Sequence, residues 1–417
     1  MGEARKTSNT HRVSRRAMLQ AGIGAALALP TAARGKEEDL VPEAMRVPGV
    51  PASPYGMPSR FEDKAVRLLT PLSTISPGTG SARTPLHLLD GIITPSGLHY
   101  ERHHNGVPDI DPARHILLVH GMVREPLEFS MEALLRYPRT SRLAFLECAG
   151  NSGANAAQEP PQTSVDLIHG LVSCSEWTGV PLKLLLDEAA IVDGAEWLLI
   201  EGGDASALSR SIPLAEAYKY GMLALYQNGE RLRPEQGYPV RFFMPGWEGS
   251  LNVKWLRRIK LTRQPTFTKE ETSKYTQLQP DGVARQFDFV MGVKSVILSP
   301  SVGMRLPEKG FYQISGLAWS GHGRVRDVKI TTDGGNSWSQ AELEEPVLPQ
   351  CLVRFRFGWH WDGGPTVLQS LATDEGGHMQ PTHSAWKAQY APGQGYHYNA
   401  IQSWRVEADG VVKNVHA

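Results

Sequence analysis

Short apolar runs, each ended at once by turn-forming residues, limit the fold of this chain more than any other sequence feature. Each run has about the length of a buried strand. Two longer segments carry a proline close to their start, which is typical of a helix. The strand-like runs are residues 116–119, 143–146 and 197–200, and the helix-like segments are residues 181–191 and 211–221. Mixed short strands and helices predict an α+β domain over about residues 84–265.

The sequence takes on a β pattern after a polar, Thr- and Gln-rich stretch at about residues 262–285, which we interpret as a linker. Strand-like runs follow at residues 311–319, 328–330 and 354–357. A tight turn is indicated by Asp333-Gly334-Gly335-Asn336. Short strands separated by turn signals predict a β-sandwich. The 41 glycines and 30 prolines agree with a loop-rich chain.

The N-terminus has the pattern of an export signal. Arg15 and Arg16 precede a mild apolar run at residues 21–29, and small residues at 31–33 offer a cleavage site. The run is too short to cross a bilayer. We therefore predict a twin-arginine signal peptide over residues 1–33 and a periplasmic protein. That route carries folded proteins, so it favours a protein that acquires a complex cofactor before export.

The bulk properties exclude several classes of partner and site. Lys plus Arg equals Asp plus Glu at 43 each, so the charge gives no reason to expect nucleic acid. Residues 34–90 are rich in Pro, Ser and Gly and predict an extended N-terminal arm. No stretch of the chain is apolar over a bilayer's thickness, so we expect no membrane span. Cys-x-x-Cys-His and Cys-x-x-Cys are absent from the sequence, which predicts no haem on this chain and no zinc finger.

Cys148 stands directly after an apolar strand and opens the turn Cys148-Ala149-Gly150-Asn151. A thiolate at a strand end on a glycine-containing turn suits a nucleophile or a metal ligand. A small buried core thiol explains the same segment, and the segment alone does not decide between them. Cys174 and Cys351 lie in ordinary contexts and are predicted to be core or edge residues.

Two more segments carry residues suited to chemistry. Residues 100–108 form a basic, histidine-rich loop, and residues 237–256 contain an apolar strand, a Pro-Gly turn and a Lys-Trp pair. With the Cys148 turn, these segments resemble the molybdopterin sulfite oxidase family. The matching runs are Arg102-His103-His104-Asn105-Gly106-Val107-Pro108, Cys148-Ala149-Gly150-Asn151, Pro239-Val240-Arg241, Val253-Lys254-Trp255-Leu256, Gly316-Leu317-Ala318-Trp319-Ser320-Gly321 and Asp333-Gly334-Gly335-Asn336-Ser337-Trp338.

The resemblance implies a molybdenum–molybdopterin cofactor with Cys148 as the protein ligand of the metal. Arg102 is then expected to face the substrate oxyanion. His104, Asn151 and Lys254 are expected among the cofactor-binding residues. The implied fold is a sulfite-oxidase-type molybdopterin domain at residues 91–265, followed at 283–405 by an immunoglobulin-like dimerisation domain.

Three positions depart from the family pattern. Gly153 and Leu251 stand where animal sulfite oxidases carry arginine, and Tyr226 is displaced by one residue from the family's tyrosine. Fewer positive charges make free sulfite, a small dianion, a less suitable substrate. Residues 245–260, 291–296 and 396–404 are similar to the molybdenum subunit (SoxC) of the sulfane dehydrogenase in the bacterial Sox thiosulfate-oxidising system.

That branch implies the oxidation of sulfane sulfur bound to a carrier protein, with electrons passed to a c-type (dihaem) cytochrome subunit. It also implies a dimer formed through the C-terminal domain. The alternative within the family is a sulfite:cytochrome c oxidoreductase that acts on free sulfite. A secreted binding module and a cysteine hydrolase that uses Cys148 are the competing interpretations from other classes.

Overall fold

The computed structural model describes residues 41–70, 77–391, 393 and 395–417. The predicted signal peptide at residues 1–33 lies outside this part of the chain. Residues 41–60 form a separate segment whose side chains are exposed, with one short 3₁₀ helix at Glu43–Met45. Residues 61–417 form the second unit, which contains the sheets described below.

The strands of the α+β part are mostly short, as the apolar runs predict, with two longer ones at Thr140–Glu147 and Val172–Pro181. They are β1 (Leu68–Leu69), β2 (Gly80–Arg83), β3 (Glu101–His103), β4 (Ile116–Gly121), β5 (Leu127–Ser130), β6 (Thr140–Glu147), β7 (Val172–Pro181), β8 (Trp197–Gly202), β9 (Ser209–Pro213), β10 (Met222–Gln227), β11 (Glu230–Arg231), β12 (Arg241–Phe243) and β13 (Leu256–Thr262).

Short helices connect these strands. They are α1 (Met131–Leu134), α2 (Val165–His169), α3 (Leu182–Ala189), α4 (Leu214–Tyr220) and, after β13, α5 (Lys269–Ser273). The helix predicted at residues 181–191 is confirmed as α3, and Pro181 is its N-cap. The helix predicted at 211–221 is shorter than expected, because residues 211–213 pair with β8 as the end of β9.

Three sheets organise this part of the chain. β1, β2 and β3 form an antiparallel sheet, and a second sheet has the order β5-β4-β13-β8-β9. β13 runs parallel to β4 and antiparallel to β8. The third sheet has the order β11-β10-β7-β6, with β12 also paired to β10. Leu117, Leu198 and Ile259 are fully buried in a core shared by the second sheet and the helices.

The C-terminal part is a two-sheet sandwich. Its strands, after the hairpin β14 (Gln277–Leu278) and β15 (Ala284–Arg285), are β16 (Lys294–Ser299), β17 (Gly310–Trp319), β18 (Val325–Thr331), β19 (Ser339–Gln340), β20 (Glu342–Leu343), β21 (Val353–Trp361), β22 (Thr366–Asp374), β23 (Ser403–Val406) and β24 (Val412–Val415). The helix α6 (His383–Lys387) precedes β23. The sheet orders are β16-β17-β21-β20 and β19-β18-β22-β23-β24. The prediction of an α+β domain followed by a β-sandwich is confirmed.

The core of the sandwich continues into the α+β part. Phe145 of β6 and Cys174 of β7 belong to the same buried cluster as Trp319 and Phe355 of the sandwich. The Phe145 backbone N–H also donates to the carbonyl of Gln350 at 2.9 Å. The strand that leads to Cys148 is therefore packed directly against the second domain.

Candidate active site

Cys148 lies at the first position after β6, on a turn held by backbone hydrogen bonds. Its N–H donates to the carbonyl of Leu171 at 3.0 Å, and its own carbonyl accepts from the N–H of Asn151 at 2.9 Å. A Cβ at Gly249 would lie 2.9 Å from the carbonyl oxygen of Glu147 and 3.3 Å from the Cys148 Cα. Glycine at 249 is thus needed for the close approach of the two backbones.

Burial raises the pKa of the Cys148 thiol, while the Gly150 N–H and the nearby Arg102 guanidinium favour the thiolate. The side chain packs against a small apolar cluster and also faces the cavity described below. A bound cation would keep such a sulfur deprotonated.

Asn151 lies outside this cavity lining, although it was predicted to bind the cofactor. Its Nδ2 donates to Glu147 Oε1 at 2.9 Å, and its Oδ1 accepts from the N–H of Leu171 at 3.1 Å. Both ends of the amide are thereby used within the protein. The structure gives Asn151 a positioning role, since it ties the Glu147 side chain to the backbone of Leu171, whose carbonyl accepts from the Cys148 N–H.

A cavity opens beside Cys148. Residues from three of the sequence segments meet there, as the ordered motifs predict. The lining includes Arg102, His103, His104, Cys148, Asp204, Gln236, Arg241, Ser250, Lys254, Trp255 and Tyr275.

Lys254 supplies one buried positive group to this cavity. Its Nζ donates to the carbonyl oxygens of Arg102 at 3.2 Å and Glu235 at 3.1 Å. It also lies 2.8 Å from Nδ1 of His103. Burial, with Arg241 nearby, lowers the pKa of Lys254 to about 7. An anion placed at this amine would reverse much of that shift.

Arg241 supplies the second buried positive group. Its guanidinium donates to the carbonyls of Gln236 at 3.1 Å and Asn252 at 2.8 Å, while its Nε has no partner among the described residues. Burial lowers the pKa of Arg241 to about 10. Together with Lys254, it makes this end of the cavity suited to a phosphate-like anion.

His104 and Tyr275 also line the cavity. The Tyr275 hydroxyl lies 3.4 Å from His104 Nε2, and the guanidinium of Arg210 stacks over the Tyr275 ring at 4.7 Å. Burial lowers the pKa of His104 to about 4, so its ring is neutral near pH 7. Tyr275 was missed from the sequence because it lies in the polar stretch 262–285, which we interpreted as a linker. No local pattern marks it.

Arg83 is a second residue that the sequence did not indicate. Ser81 of β2 pairs with Arg102 of β3, so Arg83, two residues on, presents its side chain on the same face of the sheet. Burial lowers the pKa of Arg83, and the positive charge of Arg102 lowers it further. A negative sulfur on Cys148 acts in the other direction and raises that pKa. Its Nε has no partner among the described residues. Two guanidinium groups thus approach the Cys148 side of the site.

A buried ionic network ties residues 395–397 to the Cys148 turn. His397 donates its backbone N–H to the carbonyl of Ala149 at 2.8 Å, and its Nε2 lies 2.7 Å from Glu248 Oε2. Burial raises the pKa of Glu248, but the charges of Arg210 and His397 outweigh it and set that pKa at about 2. A Cβ at Gly153 would lie 2.5 Å from the carbonyl oxygen of Gly395. This packing leaves no room for a larger side chain at position 153.

Tyr226 lies away from the cavity lining. It sits on β10 with its hydroxyl 3.3 Å from Arg139 Nη1, and Arg231 stacks over its ring. The displacement seen in the sequence therefore leaves Tyr226 in a surface cluster with arginines. In the described part of the chain, no helix is long and apolar enough to cross a membrane.

Comparison with known families divides the chain at the boundary between its two folded parts. The family model for the oxidoreductase molybdopterin binding domain matches residues 104–270. The model for the Mo-co oxidoreductase dimerisation domain matches residues 285–403. Both matched regions hold motifs quoted above, the Cys148 turn in the first and the Trp319 run in the second.

Individual known proteins are similar to this chain in sequence or in fold. The crystal structure of the sulfane dehydrogenase SoxCD from Paracoccus pantotrophus matches with a TM-score of 0.87 and 42% identity, covering 92% of this chain and 100% of that chain. Mouse mitochondrial sulfite oxidase is 31% identical over 343 residues, which are 78% of this chain and 60% of that protein. Arabidopsis thaliana nitrate reductase [NADH] 1 is 30% identical over 355 residues, 74% of this chain and 38% of that protein. The chain thus spans less than two thirds of the curated relatives' length. On these matches, the chain belongs to the molybdopterin sulfite oxidase family, with a SoxC-like sequence and fold.

Proposed function

We propose that this protein is the molybdenum subunit of a sulfane dehydrogenase, which oxidises sulfane sulfur carried on a partner protein during thiosulfate oxidation. The observation that carries the proposal is the Cys148 thiol on the wall of a cavity whose other lining includes Lys254, Arg241 and Arg102. The 42% identity to the SoxCD sulfane dehydrogenase structure supports this branch of the family.

The residues of the cavity fit the molybdopterin cofactor. A thiolate is a donor that suits a soft, redox-active metal. The partnerless Nε of Arg241 and the buried amine of Lys254 are placed to bind a phosphate group. His104 presents a neutral ring at the same cavity. Cys148 would therefore hold the metal, and Lys254, Arg241 and His104 would hold the phosphate end of the pterin.

When bound, the cofactor supplies the two-electron oxidation of sulfur, and the protein contributes position and charge. Arg102 lines the cavity on the Cys148 side, where an anionic sulfur group would bind, and Arg83 adds a second positive charge near Cys148. A guanidinium suits this role because it offers a planar pair of donors to an oxyanion. The buried network of Glu248 and His397 holds the Cys148 turn in place.

The substrate preference depends on positive charge near the metal ligand. Gly153, packed against Gly395, adds no charge, and the buried Leu251 adds none either. A less anionic sulfane group on a carrier arm fits such a site better than a free dianion. Arg83 offsets part of this loss, and this observation favours the second candidate, a sulfite:cytochrome c oxidoreductase that acts on free sulfite.

Electrons from this reaction need an acceptor. We propose a c-type dihaem cytochrome subunit as that acceptor, and a dimer formed through the C-terminal sandwich. The match of residues 285–403 to the Mo-co dimerisation domain supports the dimer. The twin-arginine pattern at residues 14–20 supports export of the folded, cofactor-loaded protein to the periplasm. Replacing Arg15 and Arg16 with lysine and locating the protein by cell fractionation tests the export.

Steady-state kinetics on the exported protein tests the proposed function. The protein is purified with any haem protein that accompanies it, and its molybdenum content is measured. Rates of cytochrome c reduction are then compared for carrier-bound sulfane, free sulfite and a carrier without sulfur. We expect turnover of carrier-bound sulfane at least tenfold faster than that of sulfite, and loss of turnover after growth in tungstate.

Each other outcome supports a different function. Fast turnover of sulfite alone supports the sulfite dehydrogenase and rejects the sulfane proposal. Protein without molybdenum that still hydrolyses esters or amides supports a cysteine hydrolase. Protein with neither molybdenum nor any turnover supports a binding module.

A further inference from the structure

The other two cysteines meet at the boundary between the α+β part and the sandwich. Cys174 Sγ lies 3.2 Å from Cys351 Sγ, although 177 positions separate the two residues in the sequence. The sulfurs of a disulfide are about 2.05 Å apart, so a movement of about 1.2 Å would bring the two sulfurs to bonding distance. This meeting was not predicted from the sequence, where both residues were interpreted as ordinary core or edge positions.

Backbone contacts hold the two thiols in this position. Cys174 lies on β7 and pairs with Phe145 of β6. The N–H of Phe145 donates to the carbonyl of Gln350, the residue before Cys351. Cys174 is also held by Thr94, whose N–H donates to the Cys174 carbonyl at 2.7 Å. Both cysteines are buried within the shared core.

We propose that Cys174 and Cys351 form a disulfide that covalently joins the α+β domain to the C-terminal sandwich. The proposal is independent of substrate and cofactor. It assigns a covalent modification to two thiols that the proposed reaction does not use. The cross-link would hold the second domain against β6, the strand that ends at Cys148.

The chemistry is a thiol–disulfide exchange with a disulfide-bearing oxidant. The Cys351 thiolate attacks the oxidant disulfide and releases one thiol, and Cys174 then attacks the mixed disulfide and releases the second. The two protein thiols lose two protons and two electrons and become one protein disulfide. The oxidant disulfide takes up these protons and electrons and becomes two thiols. Cys351 suits the first attack because the hydrogen bond from Cys174 lowers its pKa, whereas burial raises the pKa of Cys174. Since both sulfurs are buried, the exchange requires local opening at the turn before β21.

Peptide mapping tests the cross-link on the full, purified protein. The protein is incubated with oxidised glutathione, denatured, alkylated without reduction and cut with trypsin. We expect the peptides 143–183 and 330–354 to be joined, with a mass two hydrogens below the sum of the two, and to separate after dithiothreitol. Because peptide 143–183 also contains Cys148, the Cys148→Ser variant should keep the link and the Cys351→Ser variant should lose it.

A second measurement asks whether the bond stabilises the protein. A cross-link that closes a loop this long should raise the thermal midpoint by about 5 °C over the reduced protein. The Cys351→Ser variant should show no such dependence on reductant. Three alkylated cysteines per chain after the oxidant treatment, or a link between Cys148 and Cys351, would overturn the proposal.

Discussion

Glu147 and Lys294 form a buried ion pair that joins the metal-ligand turn to the sandwich. Lys294 Nζ lies 3.0 Å from Glu147 Oε1, and both side chains are almost fully buried. Glu147 Oε2 also accepts from the indole N–H of Trp319 at 2.7 Å. Glu147 directly precedes Cys148, so residues of the second domain fix the position of the proposed metal ligand.

Replacing Lys294 with methionine should destabilise the protein and weaken cofactor retention. The substitution leaves the Glu147 carboxylate buried without its positive partner, which costs about 3–5 kcal/mol. We expect the thermal midpoint to fall by about 5 °C and the molybdenum content of the purified protein to fall with it. Calorimetry and metal analysis measure the two effects.

Lys413→Met is the matched control for this prediction. Lys413 lies 3.1 Å from Glu407, but both side chains are partly exposed, and such pairs contribute at most about 1 kcal/mol. Equal effects of the two substitutions would argue against a special role for the buried pair.

Replacing Cys148 with serine should remove molybdenum-dependent turnover without unfolding the protein. A hydroxyl is a harder and much less acidic donor than a thiol, so the proposed metal ligand is lost while the side-chain volume changes little. We expect turnover to fall by at least about a thousandfold, because the metal loses its protein ligand. Circular dichroism should be unchanged, and Cys174→Ser, outside the cavity, serves as the control. A Cys148→Ser protein with ordinary turnover would exclude Cys148 as the metal ligand.

Removing the guanidinium of Arg102 or Arg83 should weaken the binding of an anionic substrate. A charged hydrogen bond contributes about 1.5–3 kcal/mol, so Arg102→Gln should raise KM by about ten- to a hundredfold. Arg83→Gln should have a smaller effect of the same sign, since Arg83 does not line the cavity. Arg139→Gln, near Tyr226, is the control. If only the Arg139 variant changed KM, the assignment of the substrate side would be wrong.

The sequence predicted the strands well because each buried strand shows itself as a short run of apolar residues. The runs at residues 116–119 and 197–200 are β4 and β8, and alternation at 354–357 marks β21. The stretch 262–285 shows where prediction from local composition fails. Its polar composition predicted a linker, yet Thr268 and Glu271 close a capping box that starts α5, and Tyr275 reaches the cavity.

The site was predicted where residues are grouped in motifs and missed where the fold brings distant residues together. Arg102, His104, Cys148 and Lys254 line one cavity, as their motifs indicated. Arg83 reaches Arg102 only through the register of β2 and β3, and Cys174 meets Cys351 only through packing of two domains. Such contacts depend on register and packing, which no local pattern specifies.

The buried amine of Lys254 should make the stability of the cofactor-free protein depend on pH. Burial lowers its pKa to about 7 in the folded chain, whereas the unfolded chain keeps a lysine pKa of about 10.4. Between these values the unfolded chain binds more protons, so stability rises with pH from about 7 towards 10. Below about pH 7 the amine is charged in both states, and the full cost of its burial remains.

Thermal midpoints of the cofactor-free protein, measured from pH 6 to pH 9.5, check this dependence against Lys254→Met. We expect the variant to be more stable than the parent near pH 7, with the difference shrinking as the pH rises. Lys183→Met, at an exposed position in α3, is the control for loss of a lysine side chain outside the cavity. A difference for Lys254→Met that stayed constant across the range would mean that this amine does not titrate there.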